Sequence, residues 1–180
     1  MITAVILTKN EEKNIKACIE SVNFCECILV IDDNSSDKTL DIAKKLKAQV
    51  IQHDLGNDFA AQRNFALLHV KTEWTLFIDA DEILSEQLKK EILGSIGNSS
   101  NNGFYIKRQD ELFGRRLKYG ELLGKKFLRL GRTQSGKWRG AVHEVWDVHG
   151  GTKSRSNQII HKPHQTIFEF LAEVNFYSTL

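Results

Sequence analysis

The sequence predicts an α/β fold built on a mostly parallel sheet flanked by helices, and three observations predict it. Apolar runs of strand length, at residues 3–7, 27–31, 50–51 and 74–78, alternate with segments whose apolar residues recur at helical spacing. The runs lack polar alternation, as strands covered on both faces do. The last of them, Trp74-Thr75-Leu76-Phe77-Ile78, stops at Asp79-Ala80-Asp81-Glu82. Open α/β sheets bind ligands beyond the carboxyl ends of their strands, so acids at that point are placed for chemistry.

The first strand, 3–7, leads into Thr8-Lys9-Asn10-Glu11-Glu12, with Asn10 as the expected N-cap of a helix carrying Ile15, Ile19 and Val22. The second, 27–31, ends in Asp32-Asp33-Asn34-Ser35-Ser36-Asp37, whose last members can cap a helix carrying Leu40, Ala43 and Leu46. After the short third strand, Asp58 is expected to cap a helix through Leu68 that bears Gln62-Arg63-Asn64 near its start. After the fourth, Ser85 can cap a helix with Leu84, Leu88, Ile92 and Ile96 on one stripe. The polar tract 98–103 is a connector. Beyond it, 104–107 and 126–130 are expected strands, with Gly114-Arg115-Arg116 between them. Thr166 and Glu169 have capping-box spacing at the start of a helix with Ile167, Phe170, Leu171, Val174 and Tyr177 on one side.

Composition excludes several functions. The 25 basic and 23 acidic residues nearly balance, which gives no case for nucleic acid. Their distribution is uneven: 11 basic and 16 acidic residues lie in 1–102, and 14 basic and 7 acidic in 103–180. Three cysteines, Cys18, Cys25 and Cys27, suit a reducing compartment better than a disulfide framework. The apolar start is too short for a signal peptide and lacks its basic leader, and no stretch is long and apolar enough to span a bilayer. The expected location is the cytoplasm.

The expected strand ends collect Thr8, Asn10, Glu11, Asp32, Asp33, Asp79 and Asp81 on one edge, with Arg63 following the third strand. Such a set suits a polar, metal-chelated ligand. Because side chains repeat every second residue along an extended segment, Asp79 and Asp81 are expected to converge on one hard cation, magnesium or manganese. The plainer alternative is that Asp81 or Glu82 caps the next helix. No Gly-rich phosphate loop of the dinucleotide or P-loop kind occurs.

Lys9-Asn10-Glu11-Glu12, the loop from Asp32 to Thr39, Gln62-Arg63-Asn64 and Asp79-Ala80-Asp81-Glu82 after Trp74 occur in the order seen in inverting GT-A glycosyltransferases. Leu128-Arg129-Leu130, Trp138-Arg139-Gly140, Val142-His143-Glu144 and His161 make the sequence resemble, within that group, the lipopolysaccharide core glucosyltransferase type. The resemblance covers most of the chain. It implies a GT-A, Rossmann-like sheet in one domain, 1–180, with a nucleotide-sugar-binding part at 1–97 and a basic acceptor-side part at 103–180. It also implies a nucleotide-sugar donor, commonly a UDP-sugar. Thr8, Glu11, Asp32 and Asp33 would hold its nucleoside, Asn10 would join them in binding the donor, Arg63 would contact the nucleotide, Asp79 the ribose or the metal, and Asp81 the metal. His161 would add a metal or phosphate contact, with His164 as its substitute.

The resemblance makes Glu144 the general base that takes the acceptor hydroxyl's proton. Many relatives carry this acid in a Glu-Asp pair, absent here, and Asp110, Glu111 and Asp147 are the alternatives. A glycan or lipid-linked glycan is the implied acceptor. Arg115, Arg116, Lys118, Lys125, Lys126 and Arg139 would face an anionic acceptor or the inner, anionic face of a membrane. Relatives usually continue past the last helix, so a shortened product is expected here. Two other functions fit parts of the pattern: a nucleotidyltransferase, and a truncated, non-catalytic nucleotide-sugar binder.

Overall fold

The structure, a computed structural model, describes residues 1–97, 99–119, 124–163, 167, 171 and 175. Strand β1 (Ile2–Thr8) is buried along its whole length. Its Ile2, Ala4 and Ile6 join one apolar cluster, while Val5 and Leu7 join another on the opposite face. Burial on both sides accounts for the absence of polar alternation. Beside β1 run β2 (Cys27–Asp32) and β4 (Trp74–Asp79), both parallel to it, and β3 (Gln49–Gln52) pairs parallel with β2. These are the four strands expected from the sequence.

Helices α1 (Ile15–Ser21), α2 (Thr39–Lys45), α3 (Phe59–His69) and α4 (Glu86–Ile96) connect or follow these strands. Ile15, Ile19, Ala43, Leu88 and Ile92 cover one face of the sheet, and Ala60 and Ala66 of α3 cover the other. Asp58 and Ser85 cap as expected, accepting from Ala61 N at 2.8 Å and Leu88 N at 3.2 Å. Asn10 does not. Its φ is +56°, its side-chain oxygen accepts from Ser36 N at 2.8 Å, and its own N–H donates to Ser35 Oγ at 2.8 Å. The loop after β2 has captured the residue, and α1 begins a turn later, behind Asn14.

The chain beyond α4 extends the same sheet. Among the described residues its order is β3-β2-β1-β4-β8-β6-β11-β5, with β7 paired to β6. Here β5 is Glu82–Leu84, β6 Asn101–Leu112, β7 Arg115–Arg116, β8 Lys126–Arg132 and β11 Gly151–His161. Strand β8 runs antiparallel to β4 and β6, β11 parallel to β6, and β5 antiparallel to β11. The sheet therefore curls, returning β5 to the far edge soon after β4.

A separate hairpin, β9 (Gly136–Arg139) with β10 (Val145–Val148), packs Trp138 and Trp146 against the second face. Their rings stack at 5.5 Å, with Phe77 edge-on to both at 5.0 and 5.1 Å. Gly131 permits this approach, since a Cβ there would lie 2.9 Å from the Trp146 ring. Of the expected C-terminal helix, Ile167, Leu171 and Asn175 are described, in helical backbone with Ile167 and Leu171 exposed. Its other members, and His164, lie outside the described residues.

Candidate active site

Thr8 is level with Asp32, and Leu7 with Asp79, so the ends of β1, β2 and β4 share one edge. The Thr8 hydroxyl is buried there without a hydrogen-bond partner. Asp32 is fully buried and accepts from Ser35 N at 2.9 Å and from the Ser35 hydroxyl. Asp33 accepts from Lys9 Nζ at 2.7 Å and Leu55 N at 3.0 Å. Burial opposes its ionisation, but these bonds outweigh burial and hold the carboxyl below its ordinary range. Glu11 stands across the mouth. Burial pushes it up to about 7, against a hydrogen bond from Asn14 and with help from the charges of Asp81 and Asp37. A cavity of about 280 Å³ opens here, lined by Asn10, Glu11, Glu12, Asp37 and Pro163 among others.

Arg63, carried by α3 and 3% exposed, is the hub of the next cluster. Its Nη2 donates to Asp79 Oδ1 and its Nε to Glu144 Oε1, each at 2.9 Å. The guanidinium lies over the Trp138 ring, 4.7 Å from its centroid, and its Nη1 is buried without a partner. The loop carrying Glu144 is tied to α3, where Phe59 N donates to Ala141 O at 3.0 Å. Asp79 meets a second cation: Arg129 Nη2, from β8, donates to Asp79 Oδ2 at 2.8 Å and to Glu82 Oε1 at 3.0 Å. Burial alone would raise Asp79, but Arg129 and Arg63 outweigh it and hold the carboxyl far below its ordinary range. Glu82, which also accepts from Asp79 N at 3.0 Å, is raised by burial.

Asp81 points elsewhere. Its Oδ2 lies 3.1 Å from His161 Nε2, whose Nδ1 lies 2.8 Å from Asp110 Oδ1. Burial works against a charged His161, yet the bonds to Asp81 and Asp110 outweigh it and raise its pKa. The expected convergence of Asp79 and Asp81 is thus absent from this geometry, because β4 ends at Asp79 and the chain turns through Ala80 and Asp81, so strand alternation no longer applies. Among the described residues no three His, Cys, Asp or Glu side chains group closely enough to enclose a metal. Asp81 and His161 together fit a different mode, in which a hard cation takes one or two protein ligands and completes its shell with substrate phosphates.

The structure brings Arg63, Asp79 and Glu144 into one cluster and Asp81 and His161 into a second, with Glu11 near the second and Thr8, Asn10, Asp32 and Asp33 along the β1 and β2 ends. The alternative acids are engaged: Asp110 with His161 and Arg108, Glu111 with Lys162, and Asp147 with Arg139. Arg129, Glu82 and Trp138 join the Arg63–Asp79 cluster, and the sequence assigns none of them a role there. A signal for Arg129 existed, since an arginine inside the apolar run Phe127-Leu128-Arg129-Leu130 requires a buried partner.

Residues 3–160 match glycosyl transferase family 2. An uncharacterized glycosyltransferase of Rickettsia bellii is 34% identical over 98% of this chain and 65% of its own length. The lipopolysaccharide core biosynthesis glycosyltransferase LpsC of Rhizobium meliloti is 28% identical over 99% of this chain and 69% of its own. Among solved structures, glucosyl-3-phosphoglycerate synthase of Mycobacterium tuberculosis, in complex with Mn2+, UDP and glucosyl-3-phosphoglycerate, superposes with a TM-score of 0.63 at 14% identity, covering 96% of this chain and 75% of that one. The chain thus spans about 65% of the length of the R. bellii relative.

Proposed function

We propose, from the premise that this chain belongs to glycosyl transferase family 2, that it transfers a sugar from a UDP-sugar to a glycan or lipid-linked glycan in lipopolysaccharide or other cell-envelope polysaccharide synthesis. The observation that carries the reading is the placement of Arg63, which joins the donor-side Asp79 to Glu144 on the loop before β10. Support for the donor comes from the UDP held by the M. tuberculosis enzyme, and for the pathway from the name of the R. meliloti relative.

In this reading residues 1–97 hold the donor and 103–180 wall the acceptor. The nucleoside lies along the β1 and β2 ends, where the unpartnered Thr8 hydroxyl, Asn10, Glu11, Asp32 and Asp33 can meet base and ribose. Arg63 offers its free Nη1 to the nucleotide, and Asp79, fixed by two arginines, meets the ribose or the margin of the metal site. Asp81 and His161 would hold manganese or magnesium, which when bound neutralises the diphosphate and stabilises it as a leaving group.

Glu144 takes the proton of the acceptor hydroxyl as that oxygen bonds to the anomeric carbon. The bond from that carbon to the diphosphate oxygen breaks on the opposite face, so the configuration inverts and UDP leaves with the electron pair. Among the described residues no helix is long and apolar enough to cross a membrane, and the proposed workplace is the cytoplasmic side of one. A second reading, a nucleotide-sugar binder without turnover, draws on the ion pair that engages Glu144.

Thermal-shift measurements with UDP, UDP-glucose and UDP-N-acetylglucosamine, with and without manganese, test the donor assignment, because a ligand that binds only the folded state raises its melting temperature. No shift with any of them would reject a UDP-sugar donor. A shift without sugar transfer to any glycan acceptor would favour the binder.

A further inference from the structure

Strands β6 and β7 form a hairpin whose turn does not suit its own residues. Phe113 and Gly114 have φ of +50° and +73°, both in the left-handed region. A two-residue turn of this kind favours Asn-Gly or Asp-Gly, and a bulky side chain at positive φ is strained. Phe113 is nonetheless 46% exposed, so packing gives little in return for the strain. Backbone strain retained without an internal benefit points to a use outside the fold.

The flanks supply the charge. Arg115, Arg116, Lys118 and Lys125 are exposed, and among the described residues none of them forms an ion pair. Among the described residues Lys126 reaches only the Ser154 hydroxyl, at 3.2 Å, and Glu111, across from Arg116 in the ladder, is paired with Lys162 at 3.4 Å. Tyr119, 87% exposed, adds a second aromatic ring. Exposed aromatic rings among unpaired basic residues match a bilayer interface, where rings settle at headgroup depth and cations meet lipid phosphates.

We infer that the β6–β7 hairpin is a membrane-docking arm that seats Phe113 in the interface of an anionic bilayer and sets Arg115 and Arg116 against its headgroups. The root of the arm adjoins the candidate site. Leu117 N donates to Asp110 O at 2.9 Å, and Lys162, the partner of Glu111, donates its backbone N–H to Asp81 O at 2.9 Å. A bilayer gripping the tip would lie beside the Asp81–His161 cluster, where a lipid-linked acceptor could enter. That last step alone rests on the proposed function. The docking itself does not.

The test is co-sedimentation of the full chain with vesicles of phosphatidylcholine alone or mixed with phosphatidylglycerol, at low and high salt, with UDP binding followed in parallel by thermal shift. Binding is expected only with phosphatidylglycerol and should weaken with salt. Arg115→Glu with Arg116→Glu should lower vesicle affinity by at least about twenty-five-fold, taking about fivefold for each basic residue lost. Phe113→Asn, which suits the turn and so preserves the fold, should lower it severalfold at either salt concentration. Both variants should keep the wild-type response to UDP. Equal binding to both vesicle types, binding to neither, or binding unaffected by the variants overturns the inference. Capture of a soluble phosphorylated oligosaccharide by the arm with vesicles ignored also overturns it and assigns the surface to a soluble acceptor. Vesicle binding without any UDP response would leave the arm in place and remove the donor assignment.

Discussion

Arg63 holds Glu144 from inside the protein: a guanidinium carried by α3 and stacked on Trp138 donates from Nε to Glu144 Oε1 at 2.9 Å. The candidate base is thus tied to the same cation that grips Asp79 at the end of β4. The bond occupies Oε1 and leaves Oε2 as the oxygen that can take a proton if Glu144 is the base.

Glu144→Gln should keep UDP affinity and lower the transfer rate by about a hundredfold or more, the scale of a lost general base. Glutamine can still accept from Arg63, so the loop should keep its position. Steady-state kinetics with the donor varied checks this. Near-normal turnover would move the role to Asp110, Glu111 or Asp147.

Arg129 compensates two buried carboxylates at once, Asp79 and Glu82. Arg129→Met should destabilise the protein by about 3–5 kcal/mol, the range for removing one partner of a buried pair. Adding Glu82→Gln removes one stranded charge and should recover part of the loss. Urea midpoints of the single and double variants measure the coupling, and strictly additive effects would refute it.

Much of the fold was legible because β1, most of β2, and β4 are buried on both faces and therefore appear as apolar runs, whereas the edge strand β3 shows only Val50 and Ile51, and because the Asp58 and Ser85 caps depend on neighbours a few residues away. Strand β5 was not, since three residues pairing with distant β11 leave no periodic trace. Strand β6 showed only its apolar middle; its outer residues are polar and half-buried. In the candidate site, residue types pointed to Asp79 and Asp81 beyond β4 and to Arg63 near the start of α3, but not to their partners. The alternation argument failed once the chain left β4 at Ala80, and the bridge from Arg129 to Asp79 spans 50 positions that no local pattern connects.

Asp81→Ala should remove the manganese dependence of UDP binding. In the wild type, affinity with manganese should exceed affinity without it by at least tenfold, the lower end of the effects seen when metal-site interactions are lost. In the variant the two affinities should coincide. Titration calorimetry with and without manganese decides, and an unchanged ratio would take Asp81 out of the metal site.

The last prediction concerns pH and Glu11. Burial pushes its carboxyl up to about 7, whereas in the unfolded chain a glutamate titrates near its ordinary value of about 4.3. Between those values the folded state binds the extra proton, so stability is greatest below the unfolded value and is lost as pH rises through about 7. His161, also raised, acts in the same direction: its contribution is present below about 6.5 and lost at higher pH. The ligand-free protein should therefore melt several degrees lower at about pH 8 than at about pH 6, a shift of the size expected for about 1–2 kcal/mol in a domain of this length. Glu11→Gln cannot ionise and should flatten the curve, leaving the His161 part. Manganese with UDP should also flatten it, because a cation held at Asp81 favours the ionised form of its carboxylate neighbour. Differential scanning calorimetry of the wild type and the variant across this range provides the measurement. Parallel pH curves would show that Glu11 does not titrate there.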